Sequence, residues 1–428
     1  MRIIYTIGIW FYTLGIRVAA LFGHTKARQM VRGWHRWRDE LANLDERPVV
    51  WFHAASLGEF EQTRPVLERY LELYPEQQVL LTFFSPSGYE VRKNYPKAQA
   101  VCYLPPDLPY NVFWFTIRLI DLRAVFFVKY DFWFNFLIKL REANIPVYLF
   151  SAIFRPDQYF FKPWGRWYLQ RLKECYTHIF VQNEESLELL RSHGVEHCSR
   201  AGDTRFDRVH QIAEAAERNE MVERFLYSSP TATRRSPSPE PGEESKVLVC
   251  GSTWPPDEEL ISKLRTPNSE LRIILAPHVI SEEHLKQIET LFPDSVRYSV
   301  LKDLKNSKDL KDLRVLIIDN IGLLSKLYRY ADVAYIGGGF GVGIHNILEA
   351  VTFGKPVLFG PHYHKFQEAH DIIACGGGFT HSNGDQLSKN LQALLADGDA
   401  YRRASEACLE YMNANLGSTD IIINTLEK

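Results

Sequence analysis

IGGGFGVGIHNILEAVTFGKPVLFGPH, residues Ile336–His362, reads as a strand that runs into a glycine-rich turn, a helix that opens at about His345 or Asn346, and a second apolar strand. Gly337, Gly338, Gly339, Gly341 and Gly343 let backbone N–H groups come close to an anion, and the amino end of the helix adds a dipole that favours a phosphate. Glu349 lies one turn in, where a carboxylate can accept both hydroxyls of a ribose. On residues alone, the glycines could equally serve as tight-turn residues and Glu349 as a helix-surface charge.

The alternation of short apolar runs with helical stretches extends outward from here. KVLVCGS, RIILAPH, VLIIDN, VAYIGGG and KPVLFGP in the second half, and VVWFHAAS, QVLLTFF, AVFFVKY, PVYLFSA and HIFVQN in the first, read as buried strands of two parallel sheets covered on both faces. A tight turn at Gly58 is expected to open the helix after the first of these. The fold class is α/β, two Rossmann-like domains facing a cleft, with ligands expected at the carboxyl ends of the strands. SSPTATRRSPSPEPGEES, residues 228–245, is rich in proline, serine and charge and reads as a flexible linker or loop. It separates a first domain, 48–227, from a second, 246–428.

A net charge of -2 over 428 residues gives no chain-wide bias toward nucleic acid, and none is expected as a partner. Six scattered cysteines with no C-x-x-C pair argue against a disulfide framework or a zinc site and read as buried thiols in a reducing cytoplasm. No carboxylate-rich metal motif stands out. Residues 1–47 differ in kind: Ile3 to Phe22 is apolar and aromatic, then Lys26, Arg28, Arg32, Arg36 and Arg38 follow. That order is the reverse of a cleaved export signal. The length is near the lower bound for a membrane span, and Arg17 at depth would be costly. With Tyr5, Trp10, Tyr12, Trp34 and Trp37 at headgroup level, the segment reads as a helix docked on anionic lipids of the inner leaflet. The alternative is a buried amphipathic helix of the first domain.

H-N-x-L-E followed by FGKPVLFGPH and FQE, together with WFHAASLGE at Trp51–Glu59, resembles the signatures of bacterial 3-deoxy-D-manno-octulosonic acid (Kdo) transferases that act on lipid A. YLPPDLP, VQNEES, GDTRFD, GSTWPPDEE and YADVAYIGG match in order and spacing. The resemblance implies a GT-B glycosyltransferase. It would move Kdo from CMP-Kdo to a lipid A precursor with inversion, on the cytoplasmic side of the inner membrane, in lipopolysaccharide biosynthesis. Neither a metal nor a cofactor beyond the donor substrate is implied. Glu59 would be the general base, although Ser56-x-x-Glu59 is also a capping box. Arg205 stands where relatives carry a lysine near the reacting centre; its bland alternative is pairing with Asp203 or Asp207. The CMP site would use Pro277, His278, Ile321, Gly322, Leu323, Asn346, Ile347, Leu348 and Glu349.

Three departures from the family pattern bear on this reading. His278 replaces an arginine, so the site has no permanent cation there. In KYDFWFN, Lys129, Asp131 and Phe134 replace two glutamates and a proline; either Asp131 stands in for an acid that supports the transition state, or that role is absent. Leu323 replaces a residue that is commonly acidic, though a contact through its backbone N–H would survive. Two competing readings are a UDP-sugar-dependent transferase or epimerase of the same fold, and an inactive membrane-bound scaffold. The S-L-G-E motif beside a basic, membrane-facing helix speaks against the first, and the retained Glu59, Asn346 and Glu349 against the second.

Overall fold

Every residue of Val49–Ala54 (β1) is buried, and alternate side chains enter different cores: Val49 and Trp51 one, Val50, Phe52 and Ala54 the other. A strand apolar on both faces needs helices on both sides, which is why such runs read as continuous hydrophobicity. The computed structural model describes residues 1–227, 246–264, 271–301, 303, 310 and 312–426, and the expected linker, 228–245, lies outside the described residues.

Gln78–Phe83 (β2), Ala100–Tyr103 (β3), Leu122–Val128 (β4), Val147–Ala152 (β5), His178–Val181 (β6) and Cys198–Arg200 (β7) join β1 in a parallel sheet of order β3-β2-β1-β4-β5-β6-β7. Val247–Thr253 (β8), Arg272–Pro277 (β9), Ser295–Arg297 (β10), Val315–Ile317 (β11), Val333–Ile336 (β12), Val357–Phe359 (β13) and Gly378–Thr380 (β14) form a second parallel sheet, ordered β10-β11-β9-β8-β12-β13-β14. All ten expected strands are present. The four that sequence reading did not pick out, β3, β7, β10 and β14, are the outer strands of the two sheets.

The two compact units are 1–208 with 415–428, and 209–414. This division differs from the expected one, with a first domain ending at 227 and a second running through 428. The chain leaves the first unit inside the helix Thr204–Glu214 and returns at its end. Asp207 anchors the return: its carboxylate accepts from the N–H groups of Gly417 and Thr419 at 2.8 and 2.7 Å and from the Thr419 hydroxyl at 2.6 Å. Ile422 and Ile423 of the helix Ser418–Leu426 then bury against Phe60, Leu67 and Tyr70.

The segment 1–47 is two helices, Arg2–Leu21 (α1) and Thr25–Leu41 (α2). α2 lies along β3 and covers that sheet edge. Its Trp34 enters one core and its Trp37 the other, and a Cβ on Gly33 would sit 2.0 Å from the Tyr103 ring. Trp34 and Trp37 are therefore core residues and not, as expected, headgroup-level aromatics. α1 is long and apolar enough to cross a membrane by length and composition. Its Tyr5, Ile9, Thr13 and Ile16 turn toward the first unit, while Ile4, Ile7, Trp10, Phe11 and Leu14 are exposed. Five cysteines are buried as expected and Cys375 is exposed.

Candidate active site

In the first sheet the strand order reverses between β1 and β4, and the loops leaving their carboxyl ends border the crevice where open parallel sheets hold ligands. Beyond β1 the helix Leu57–Leu73 (α3) begins, capped by Ser56. The Ser56 hydroxyl accepts from Glu59 N–H at 3.5 Å, and Glu59 Oε2 accepts from Ala55 N–H at 2.7 Å. Ser56 thus caps the helix, and Glu59 reaches back to the N–H one residue before the cap. Gly58 lies inside the helix without positive φ, so no tight turn opens α3; its side-chain position faces open space.

Lys129 follows β4 with φ 58, a left-handed conformation rare outside glycine, and the chain reverses there to bring Asp131 over β1. Asp131 Oδ2 is buried without a hydrogen-bond partner, 3.5 Å from His53 Nε2. His53 supplies no charge to it, because burial pushes that imidazole down to about 3. Trp133 Nε1–H donates to Nε2 at 3.2 Å, which leaves that nitrogen as an acceptor, and Nδ1 lies 2.7 Å from Thr82 Oγ1. Burial raises Asp131 well above the usual carboxylate range, and the Glu59 charge adds to that. Burial raises Glu59 as well, opposed by Lys129 and the N–H groups of Ala55 and Ser56. Two carboxyls sharing one site cannot both ionise readily, so the proton rests on Asp131 and the charge on Glu59.

This arrangement predicts a stability effect. Between the ordinary carboxylate pKa and the raised one, native Asp131 keeps a proton that the unfolded chain releases, so stability falls as pH rises through that window. Asp131→Asn cannot titrate. Its melting temperature is expected to exceed the wild type's at pH 8 and to match it near pH 4, by calorimetry; equal values at pH 8 would place Asp131 outside the dyad.

Arg205 sits at the start of the helix after β7, where its Nε–H donates to Asp203 Oδ2 at 2.8 Å and its backbone N–H to Oδ1 at 2.9 Å. Pairing with Asp203 is thus observed, while Asp207 serves the chain's return. Asp203 also accepts from Gln62 Nε2 at 2.7 Å, and Thr204 Oγ1 donates to the Gln62 carbonyl at 2.7 Å. Gln62 lies one helical turn beyond Glu59, so α3 links Arg205 to the Glu59 end of the site.

In the second sheet the order reverses between β8 and β12, and the glycine turn leaves β12 at that point. Its N–H groups are largely engaged within the protein. Gly337 donates to the Gly251 carbonyl, Gly341 and Gly343 to the Gly338 carbonyl, and Gly338 to Asp257 Oδ2 at 2.9 Å. The glycines are there for close packing: a Cβ on Gly337 would lie 2.3 Å from the Ser252 carbonyl oxygen, and one on Gly339 2.6 Å from Gly360. The helix opens at Leu348, later than expected, and spans only Leu348–Val351; Asn346 Oδ1 accepts from Leu348 N–H at its start. Glu349 accepts from Asn346 Nδ2 at 3.3 Å, and its charge joins burial in pushing the Tyr328 hydroxyl up. His278, after Pro277 at the end of β9, stacks between Trp254 at 4.7 Å and His345 at 4.6 Å. Ile321 is 93% exposed, Gly322 has φ 95, and Leu323 caps a short helix leading to Tyr328. Among the described residues no group of three or more His, Cys, Asp or Glu is placed to hold a metal.

Residues 32–208 match the 3-deoxy-D-manno-octulosonic-acid transferase (kdotransferase) family. The chain is 26% identical over 352 residues to the 3-deoxy-D-manno-octulosonic acid transferase of Aquifex aeolicus, across 81% of this chain and 86% of that one. With the enzyme of that name from Rickettsia bellii it shares 22% over 394 residues, 90% of this chain and 88% of the other. Residues 32–208 thus carry the pattern of a Kdo transferase domain, and the similarity to Kdo transferases extends over most of the chain. The chain is a glycosyltransferase. The fold is likewise of the GT-B type: a UDP-GlcNAc 2-epimerase from Neisseria meningitidis superposes with a TM-score of 0.59 at 16% identity, over 88% of this chain and 99% of the other.

Among the site residues of this chain, sequence reading missed His53, Gln62, Trp133, Asp257, Trp254 and His345. His53 and Trp254 lie inside motifs already singled out, WFHAASLGE and GSTWPPDEE, so a signal existed. Gln62 and Asp257 act through partners 141 and 81 residues away, which no local pattern reveals.

Proposed function

We propose that the chain transfers Kdo from CMP-Kdo to a lipid A precursor with inversion, and that Glu59 is the base. The observation that carries this is the Glu59–Asp131 pair, in which one carboxylate stays charged and able to take a proton. Glu59 removes the acceptor hydroxyl's proton as that oxygen bonds to the anomeric carbon, while the bond from that carbon to the CMP phosphate breaks. Asp131, protonated, donates a hydrogen bond from Oδ2 to the reacting sugar. The leaving group is a monophosphate, whose charge backbone donors and the His278 region of the second unit can meet without a metal. The second unit would hold CMP through Pro277, His278, Ile321, Gly322, Leu323, Asn346, Ile347, Leu348 and Glu349.

Incubation of the full-length protein with enzymatically generated CMP-Kdo and a lipid A precursor, followed by mass analysis of the lipid, tests this. Product carrying Kdo is expected; transfer from a UDP-sugar, or none, would replace the reading. Glu349→Ala is expected to weaken CMP binding about ten- to a hundredfold, since removing a charged hydrogen-bond acceptor costs about 1.5–3 kcal/mol. Calorimetry reads it, and equal affinity for UDP and CMP would count against the donor assignment.

We further propose that the inner membrane's cytoplasmic leaflet binds α1 through its exposed apolar face, with Lys26, Arg28, Arg32 and Arg36 of α2 on anionic lipid. Because α2 supplies core tryptophans, the test is substitution and not truncation. Ile7→Asp with Phe11→Asp should abolish co-sedimentation with anionic vesicles at unchanged thermal stability. Raised salt should release the wild type only in part.

A further inference from the structure

Beside the reacting carboxylates lies a groove of about 500 Å3, lined by Tyr5 and Ile9 of α1, by Phe84, Trp133 and Trp164, and by Asp131. That volume suits a ligand cavity, and the chemistry proposed above uses only the Asp131 part of it. Its aromatic wall is continuous. Tyr12 of α1 stacks on Phe84 at 6.1 Å, Phe84 lies 5.1 Å from Trp133, and Trp133 reaches His53 beneath Asp131. Two of the polar groups along this wall are engaged within the protein: the Tyr5 hydroxyl donates to Asp107 at 2.6 Å and Trp133 Nε1–H to His53. The wall presents mainly ring faces and aliphatic carbon, while the unpartnered Asp131 Oδ2 marks a polar end.

The same helix that walls the groove through Tyr5 and Ile9 exposes Ile7 and Phe11 on its other side. A hydrocarbon chain moving from a bilayer around α1 meets apolar surface throughout. We propose that this groove holds one fatty-acyl chain of the acceptor, drawn from the bilayer along α1, with the acceptor's sugar hydroxyl delivered to Glu59 and Asp131. The proposal rests on the reading of the chain as a transferase onto a lipid acceptor, and it assigns the acyl-recognition surface of that same site.

The test uses the full-length protein and a lipid A precursor carrying a diazirine in an acyl chain. Irradiation is expected to label the segments containing Phe84 and Trp164, and unlabelled precursor should suppress the labelling. Ile9→Trp, which fills the groove, should abolish that label and raise KM for acylated acceptor at least tenfold, while KM for a deacylated, water-soluble acceptor stays within twofold. Should Ile9→Trp fail to fold, Trp164→Ala at a 62% exposed position gives the same KM contrast. Label confined to the outer face of α1, or variants that affect both acceptors alike, would overturn the proposal. Groove labelling by a wild-type protein that transfers no Kdo would instead sink the donor reading and leave the acyl site standing.

Discussion

Glu59→Gln is expected to lower the transfer rate at saturating substrates by about 10²–10⁴-fold, the usual contribution of a positioned base, with donor affinity and melting temperature little changed. Glutamine keeps the size of the side chain and an acceptor oxygen for Ala55 N–H, the hydrogen bond that closes the helix cap at 2.7 Å. It cannot take a proton. The substitution thus separates two roles that the structure shows to be compatible, because Glu59 caps with Oε2 and carries charge in the same conformation. A residue that only capped would give near-normal turnover. The pH profile supplies an independent check: burial raises Glu59, so activity should be lost as pH falls through a midpoint above the ordinary carboxylate value of about 4.3. Single-turnover kinetics that hold at wild-type rates in a stable Glu59→Gln protein would remove it as the base.

The parts of the fold legible in the sequence are those set by burial on both faces. β1, β4, β8 and β12 stand in mid-sheet, and their unbroken apolar runs follow from that. The outer strands β7, β10 and β14 pair on one side only and are three residues each, with Arg200, Ser295 and Thr380 tolerated there, so nothing in their composition separates them from loop. α2 shows a signal read the wrong way. Met30, Trp34, Trp37 and Leu41 recur at helical spacing, the pattern of a packed stripe, and all four are buried. The site follows the same logic. Ser56-x-x-Glu59 and Asp203-x-Arg205 are local, so both their roles could be weighed from sequence. The neutral state of His53 follows from its burial beneath Trp133, 80 residues on, and the coupling of Asp131 to Glu59 depends on a left-handed turn at a lysine.

Asp257→Ala is expected to destabilise the second unit by about 3–5 kcal/mol and to abolish CMP binding, although in the proposed assignment Asp257 makes no contact with the nucleotide. The carboxylate is 1% exposed and accepts from three donors: Trp254 N–H at 2.9 Å, Gly338 N–H at 2.9 Å and the Tyr335 hydroxyl at 2.8 Å. Alanine leaves all three buried without an acceptor, and each costs about 1–3 kcal/mol. One tie holds the glycine turn after β12, another the start of the helix after β8, and Trp254 carries the stack on His278. Losing the carboxylate therefore frees two of the loops that the CMP assignment needs in register. For a unit of this size the cost corresponds to a melting shift of about 6–20 °C. Asp257→Asn retains an oxygen for the two N–H groups and can turn its amide toward the Tyr335 hydroxyl, which then accepts. That variant should keep most of the stability and bind CMP. Hydrogen exchange resolved to 246–264 and 333–351 reads the two loops directly, and unchanged protection there in Asp257→Ala would show that the turn holds its shape by glycine packing alone.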